Sequence, residues 1–299
     1  MAQGVYVLSD TNEHCRQQQD SRERVRPAQA GRSVSSRLDR NTLLRKLHEI
    51  QPARRKMRIH HWPNAGCTEI TTGCAKPEKR KIGLELTPSP EQQAHNQVRS
   101  TVRAKKQLRQ DLLSILADRM LTLTYRSNMQ DRAQAIADLK RFNRQMRYRF
   151  QHWASVAVLE WQKRGAAHFH LGIAGFYQAS VVREVWREIV GEGNVDIAFE
   201  PRGRGNHCSK LATYMCKYMA KNLDEGRQPG EHRYFRCQVP DHLEEVYYIA
   251  DDAPRGIEKR LIYETLIDLC PQGKGGRDIW ISPTGYGGLC GIAEKLPEG

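Results

Sequence analysis

The chain has 299 residues, enough for one or two domains with a hydrophobic core. Hydrophobic residues make up 39%. No apolar run approaches the roughly 18 residues of a membrane span, and the opening MAQGVYVLSD lacks the basic-then-apolar pattern of a secretory signal, so a cytoplasmic protein is expected. Lys and Arg total 48 against 34 Asp and Glu, a net charge of +14. Such a surplus points to a polyanionic partner, because each neutralised phosphate releases a counterion. The eight cysteines include no CxxC pair, so the pattern predicts free thiols and no zinc knuckle.

Residues 1–90 read as a basic, largely disordered arm, since HCRQQQDSRERVRPAQAGRSVSSRLDR is polar and short of aromatics. Within it, Leu43, Leu44, Leu47 and Ile50 share one face of a local helix over Asn41–Ile50, and Lys76–Pro90, with three prolines and a charge run, suits a linker. Order rises from residue 91. Gln92–Leu116 reads as a basic helix and LTLTY at 121–125 as a strand. Asp131–Phe150 places Ile136, Leu139, Phe142 and Met146 on one helical face, with Lys140, Arg141, Arg144 and Arg147 on the other as candidate DNA contacts. Strands follow at ASVAVLEW and HFHLGIAG, separated by a turn at Lys163–Gly165. A helix is expected over Ser180–Val190, a strand over Val195–Phe199, a loop at PRGRGN carrying Arg202 and Arg204, and a helix over Lys210–Asn222.

The order β-α-β-β-α-β-α predicts an α+β protein with a ferredoxin-like or RRM-like antiparallel sheet and helices on one face, spanning residues 91–240. HRYFRCQ adds a possible strand. Residues 241–299 are a C-terminal extension without a clear pattern, and the Gly-rich stretch 271–299 reads as loop.

In a strand, residues i and i+2 point the same way, so His168 and His170 project from one face. If Glu160 faces His168 across the hairpin, the register midpoint is residue 164, inside the turn, and two imidazoles and a carboxylate converge. A chance HxH in a hydrogen-bonded sheet gives the same pattern. The ligand set suits zinc, whereas phosphate chemistry favours Mg²⁺ or Mn²⁺.

YMCKYMAK sets Tyr214 and Tyr218 one helical turn apart and repeats the spacing in Lys217 and Lys221. A phenol is a weak nucleophile near pH 7, and a neighbouring ammonium favours its phenolate and grips phosphate. An amphipathic helix with half-buried tyrosines reads the same way.

LTLTY, EWQKRGAAHFHL and YMCKYMAK, in this order, resemble the three motifs of rolling-circle replication initiators of the HUH endonuclease superfamily, the two-tyrosine kind of phages and related elements. The likeness covers about residues 118–240. It implies a histidine pair at the centre of the sheet and a tyrosine helix above it. It implies Mg²⁺ or Mn²⁺ on His168, His170 and a third ligand, for which Glu160 is chosen. It also implies nicking of single-stranded DNA at a replication origin, a 5′ phosphotyrosine, and a 3′ hydroxyl that primes a host polymerase. Tyr214 is the favoured first nucleophile. No GxxxxGK[ST] occurs, so no nucleotide cofactor is expected and a helicase would come from the host, a bacterium carrying a phage or plasmid. The alternatives are a single-strand transposase of the same superfamily and a non-enzymatic basic nucleic-acid-binding module.

Overall fold

The computed structural model describes residues 23–24, 55–74, 89–199, 207–221, 232–249, 256–270, 276–284 and 288–295. The strands in chain order are β1 (Glu23–Arg24), β2 (Arg55–Trp62), β3 (Cys67–Cys74), β4 (Arg119–Tyr125), β5 (Ser155–Trp161), β6 (Ala167–Ile173), β7 (Gly193–Phe199), β8 (Phe235–Cys237), β9 (Leu243–Ile249), β10 (Arg277–Pro283) and β11 (Leu289–Lys295). The helices are α1 (Pro90–Ser114), α2 (Arg132–Arg149), α3 (Ala179–Val190), α4 (His207–Lys221) and α5 (Ile257–Leu269). The protein is α+β, with two antiparallel sheets. Its contacts divide it into residues 91–241 and residues 1–90 together with 242–299.

The central unit carries a sheet in the order β7-β4-β6-β5-β8. The segment β4-α2-β5-β6-α3-β7 is the split-βαβ arrangement that the sequence predicts, with β8 added at the edge beside β5. The side chains of β4, β5 and β6 alternate. Leu121, Leu123, Ala157, Leu159, Phe169 and Leu171 face α2 and α3 and are buried. Helix α2 starts at Asp131, whose carboxylate accepts from the Gln134 amide and satisfies one open N–H of the first turn. It buries Ala135, Leu139, Phe142 and Met146 at helical spacing. Phe142 meets Trp153 and Trp186 edge-on, each at 5.8 Å between ring centres.

The opposite face of the sheet carries the histidines. Helix α4 packs there against β5 and β6, so helices lie on both faces rather than one. The cause is local: Gly172, two residues past His170, has no side chain to hold the helices away. A Cβ on Gly172 would stand 2.1 Å from Cδ2 of Leu112 on α1 and 3.0 Å from Sδ of Met215 on α4. Leu112 and Met215 are fully buried, so neither can swing aside freely.

The other unit is a six-stranded antiparallel sheet, β1-β10-β11-β3-β2-β9. Helix α5 covers one face of it, packing Leu261, Ile262 and Leu266 on Met57, Ile59, Ile70 and Ile281. This corrects two expectations. Residues 55–74, assigned to the disordered arm, form a hairpin, and the stretch 271–299, read as loop, contains β10 and β11. The alternation Met57/Ile59 and Ile279/Ile281 is present but short and thinned by basic residues, and the pairing partners are remote in sequence. The helix expected at Asn41–Ile50 and the linker up to residue 88 lie outside the described residues.

The Gly172→Ala variant is expected to lose about 1–3 kcal/mol of stability through overpacking, read as a lowered urea midpoint of the full chain.

Candidate active site

The register of β5 against β6 pairs Glu160 with His168 and Val158 with His170. Gly165 makes the reversal possible: its φ of +82° is left-handed, and its amide donates to the Gln162 carbonyl at 2.8 Å. Glu160 therefore stands beside both histidines. Nε2 of His170 and Oε2 of Glu160 are 2.8 Å apart. The two imidazoles are edge-to-face, with centres 4.6 Å apart.

On the far side of β6, β4 pairs Thr122 with His170 and Thr124 with His168. The Thr124 hydroxyl lies 3.1 Å from Nδ1 of His168, and the Thr122 hydroxyl lies 3.4 Å from Nδ1 of His170. Each histidine thus has one ring nitrogen held by a threonine of the LTLTY segment, which turns Nε2 toward Glu160 and the tyrosine helix. The Gln162 amide also reaches Nδ1 of His168, at 3.3 Å. Arg164 donates to Oε1 of Gln162 and to the carbonyls of Tyr125 and Arg126, which ties the hairpin turn to the end of β4. Thr122, Thr124, Gln162 and Arg164 are the residues that the sequence reading missed. The alternation of LTLTY was their one available signal. Tyr125 of the same segment belongs to the core: its hydroxyl donates to Asp138, and burial pushes its phenol well up.

Burial holds His168 neutral. It lowers the imidazole from 6.5 to about 4, helped by His170 and Arg164 and opposed by Glu160.

Helix α4 brings both tyrosines over the histidines. The ring of Tyr218 stacks on His170, with centres 3.8 Å apart and planes at 26°. The Tyr218 hydroxyl donates to the Tyr214 oxygen at 2.6 Å, and the two rings are perpendicular. Nζ of Lys217 lies 5.8 Å from the Tyr214 ring centre. The side chain of Lys221 is outside the described residues, as are Arg202 and Arg204. Lys140, Arg141, Arg144 and Arg147 are exposed on α2, across the sheet from the histidines.

Among the described residues, no three His, Cys, Asp or Glu side chains form a ready-made metal cage. The donor chemistry nonetheless suits a divalent ion. A neutral imidazole, a second imidazole and a carboxylate share one face, and Glu160, now hydrogen-bonded to His170, needs only to turn from it to share an ion with both histidines. The arrangement sets a cation-binding trio under two hydroxyls able to act on phosphorus.

Residues 118–223, roughly a third of the chain, match a family of replication-associated proteins, described as the ORF2 type. The matched stretch runs from the start of β4 to just past α4 and contains every residue of the site described above. The match supports a replication-associated, initiator-type protein. No curated protein and no solved structure matches the chain. No helix among the described residues is long and apolar enough to cross a membrane.

The depressed imidazole has a thermodynamic consequence. The unfolded chain takes up a proton near pH 6.5, whereas the native His168 does so only near pH 4. Stability contributed by this group is therefore present above pH 6.5 and lost as pH falls toward 4, by at most about 3 kcal/mol. Urea unfolding at pH 7 and pH 4.5 should show this loss, and His168→Asn should show a smaller one.

Proposed function

We propose that residues 91–240 form an HUH-type endonuclease that nicks and rejoins single-stranded DNA at a replication origin and so initiates rolling-circle replication of a phage, plasmid or related element. The observation that carries this reading is the stacking of Tyr218 on His170, with the Tyr214 oxygen hydrogen-bonded to it. Two candidate nucleophiles lie against a histidine–carboxylate cluster, inside the stretch that matches a replication-associated family.

In the reaction, a tyrosine oxygen attacks the scissile phosphorus. The O–P bond to tyrosine forms and the bond from phosphorus to O3′ breaks. The phenol's proton ends on the departing 3′ oxygen, and the phosphodiester's energy is kept in the 5′ phosphotyrosine. The hydrogen bond from Tyr218 favours charge on the Tyr214 oxygen, and Lys217 lies near the same ring, so Tyr214 makes the first link and Tyr218 serves the second cut. His168, His170 and Glu160 would hold Mg²⁺ or Mn²⁺, which when bound polarises a phosphate oxygen. Thr122 and Thr124 fix the imidazole rings, and Lys217 and Lys221 bind phosphate. A bacterial host supplies the surrounding cytoplasm, the helicase and the polymerase.

Incubation with single-stranded origin DNA and Mn²⁺, followed by denaturing electrophoresis, is expected to give a protein-linked 5′ fragment. Tyr214→Phe should remove the first adduct, Tyr218→Phe should leave it, and the double variant should give none. Absence of an adduct from the wild-type chain on any single-stranded phage or plasmid DNA would sink the reading. His168→Ala should abolish metal-dependent cleavage. Thr124→Val, which keeps the shape and removes the hydroxyl, should raise the Mn²⁺ concentration for half-maximal cleavage by about 10–100-fold; an unchanged requirement would remove Thr124 from the orienting role.

A further inference from the structure

A cavity of about 780 Å³ opens between α1, α2 and the segment that enters β8. Its walls carry Lys140, Arg144 and Arg147 from α2, and Arg233 and Arg236 from the other side. Among the described residues, no acidic side chain lines it. The nearest carboxylate involved is Asp111, buried behind the wall, where it accepts from Arg236 and from the Tyr234 hydroxyl, each at 2.9 Å. Five cations facing one hollow repel one another and favour an anion between them. The side chains of Tyr234 and Phe235 sit among them and add ring surface to the basic walls.

We infer that this groove is a second contact for single-stranded DNA, on the far side of the sheet edge from the histidine centre. The inference rests on reading single-stranded DNA as the partner, but not on nicking. Three features select a single strand over a duplex. The basic face of α2 is recessed behind the β8 segment, whereas a duplex is read by an element that projects into its groove. Concavity with cations along the wall suits one backbone, and rings among the cations suit unpaired bases, which offer a π-face whatever their sequence. The route is also continuous. Arg236 pairs with Val156, and Val156 lies on the same face of β5 as Val158 and Glu160. Arg236 therefore extends the histidine face to the sheet edge, where a strand leaving Glu160 would turn into the groove. Arg141 is exposed on α2 but does not line the groove.

The test uses the full chain and a labelled oligothymidylate in EDTA, which removes divalent ions and stops cleavage, titrated at several KCl concentrations. Lys140→Ala/Arg144→Ala changes two exposed side chains and is expected to keep the wild-type unfolding midpoint. Its affinity should fall about tenfold at low salt, and the slope of log affinity against log salt should flatten by about 1.4, from roughly 0.7 per lost phosphate contact on a single strand. Arg141→Ala should bind as wild type does. Unchanged affinity and slope in the double variant would overturn the groove. So would an equal loss in Arg141→Ala, which would mark diffuse charge. An equal loss on duplex DNA would overturn the single-strand assignment. Adduct assays separate this result from the nicking reading. A flattened slope with no adduct leaves the groove standing and the nickase fallen, and adducts with an unchanged slope do the reverse.

Discussion

Strand β6 has to satisfy two environments at once, and the pleat lets it. Phe169, Leu171 and Ile173 enter the core beneath α2 and α3, while His168, His170 and Gly172 point the other way. Because the side-chain period is two, a register slip of one residue would put imidazoles in the core and phenylalanine on the histidine face. The buried aromatics of the core hold that register, and the site inherits it. The neighbouring strands then bring fixed partners: hydroxyls from β4 on one side, a carboxylate from β5 on the other. The third dimension comes from Gly172, whose missing side chain sets how low α4 rides and so how closely Tyr218 meets His170.

Charge is sorted around this arrangement. The imidazole of His168 is neutral because it is buried, and Arg164, the nearest cation on the hairpin, spends its hydrogen bonds on backbone carbonyls and Gln162. Exposed cations gather instead on α2 and at the β8 edge, away from the imidazoles. Attraction for a polyanion and an uncharged nitrogen donor would conflict at one spot; here they occupy different parts of the same sheet.

What the sequence reveals about this site follows from distance along the chain. Glu160, His168 and His170 sit on one hairpin, so a glycine turn and a parity count are enough to place them together. Tyr214 and Tyr218 are a helical turn apart and need only the helix. The threonines were harder, because LTLTY reads as any half-buried strand until its neighbour is known to be β6. Gln162 and Arg164 were harder still, since their roles depend on side-chain direction in the turn. The position of α4 over the histidine face came from the family resemblance, whereas its physical cause, a glycine where a side chain would collide, is visible only in three dimensions. The terminal sheet was missed because its alternation is short and its partners remote, with His60 and His242 in contact at a separation of 182 residues.

That separation governs the order in which a ribosome can finish the molecule. The hairpin of β2 and β3 emerges early, but β2 pairs with β9 and β3 with β11, so both of its edges wait for strands made after the whole central unit. At about 5–20 residues per second the wait is on the order of ten seconds or more. The central sheet draws its strands from one continuous stretch and closes in the meantime. A chain interrupted before β9 would carry a finished central unit attached to a hairpin with two open edges, the form of β structure most prone to pair with a neighbour. Completion of the tail is therefore the step that turns an adhesive nascent chain into a self-contained protein.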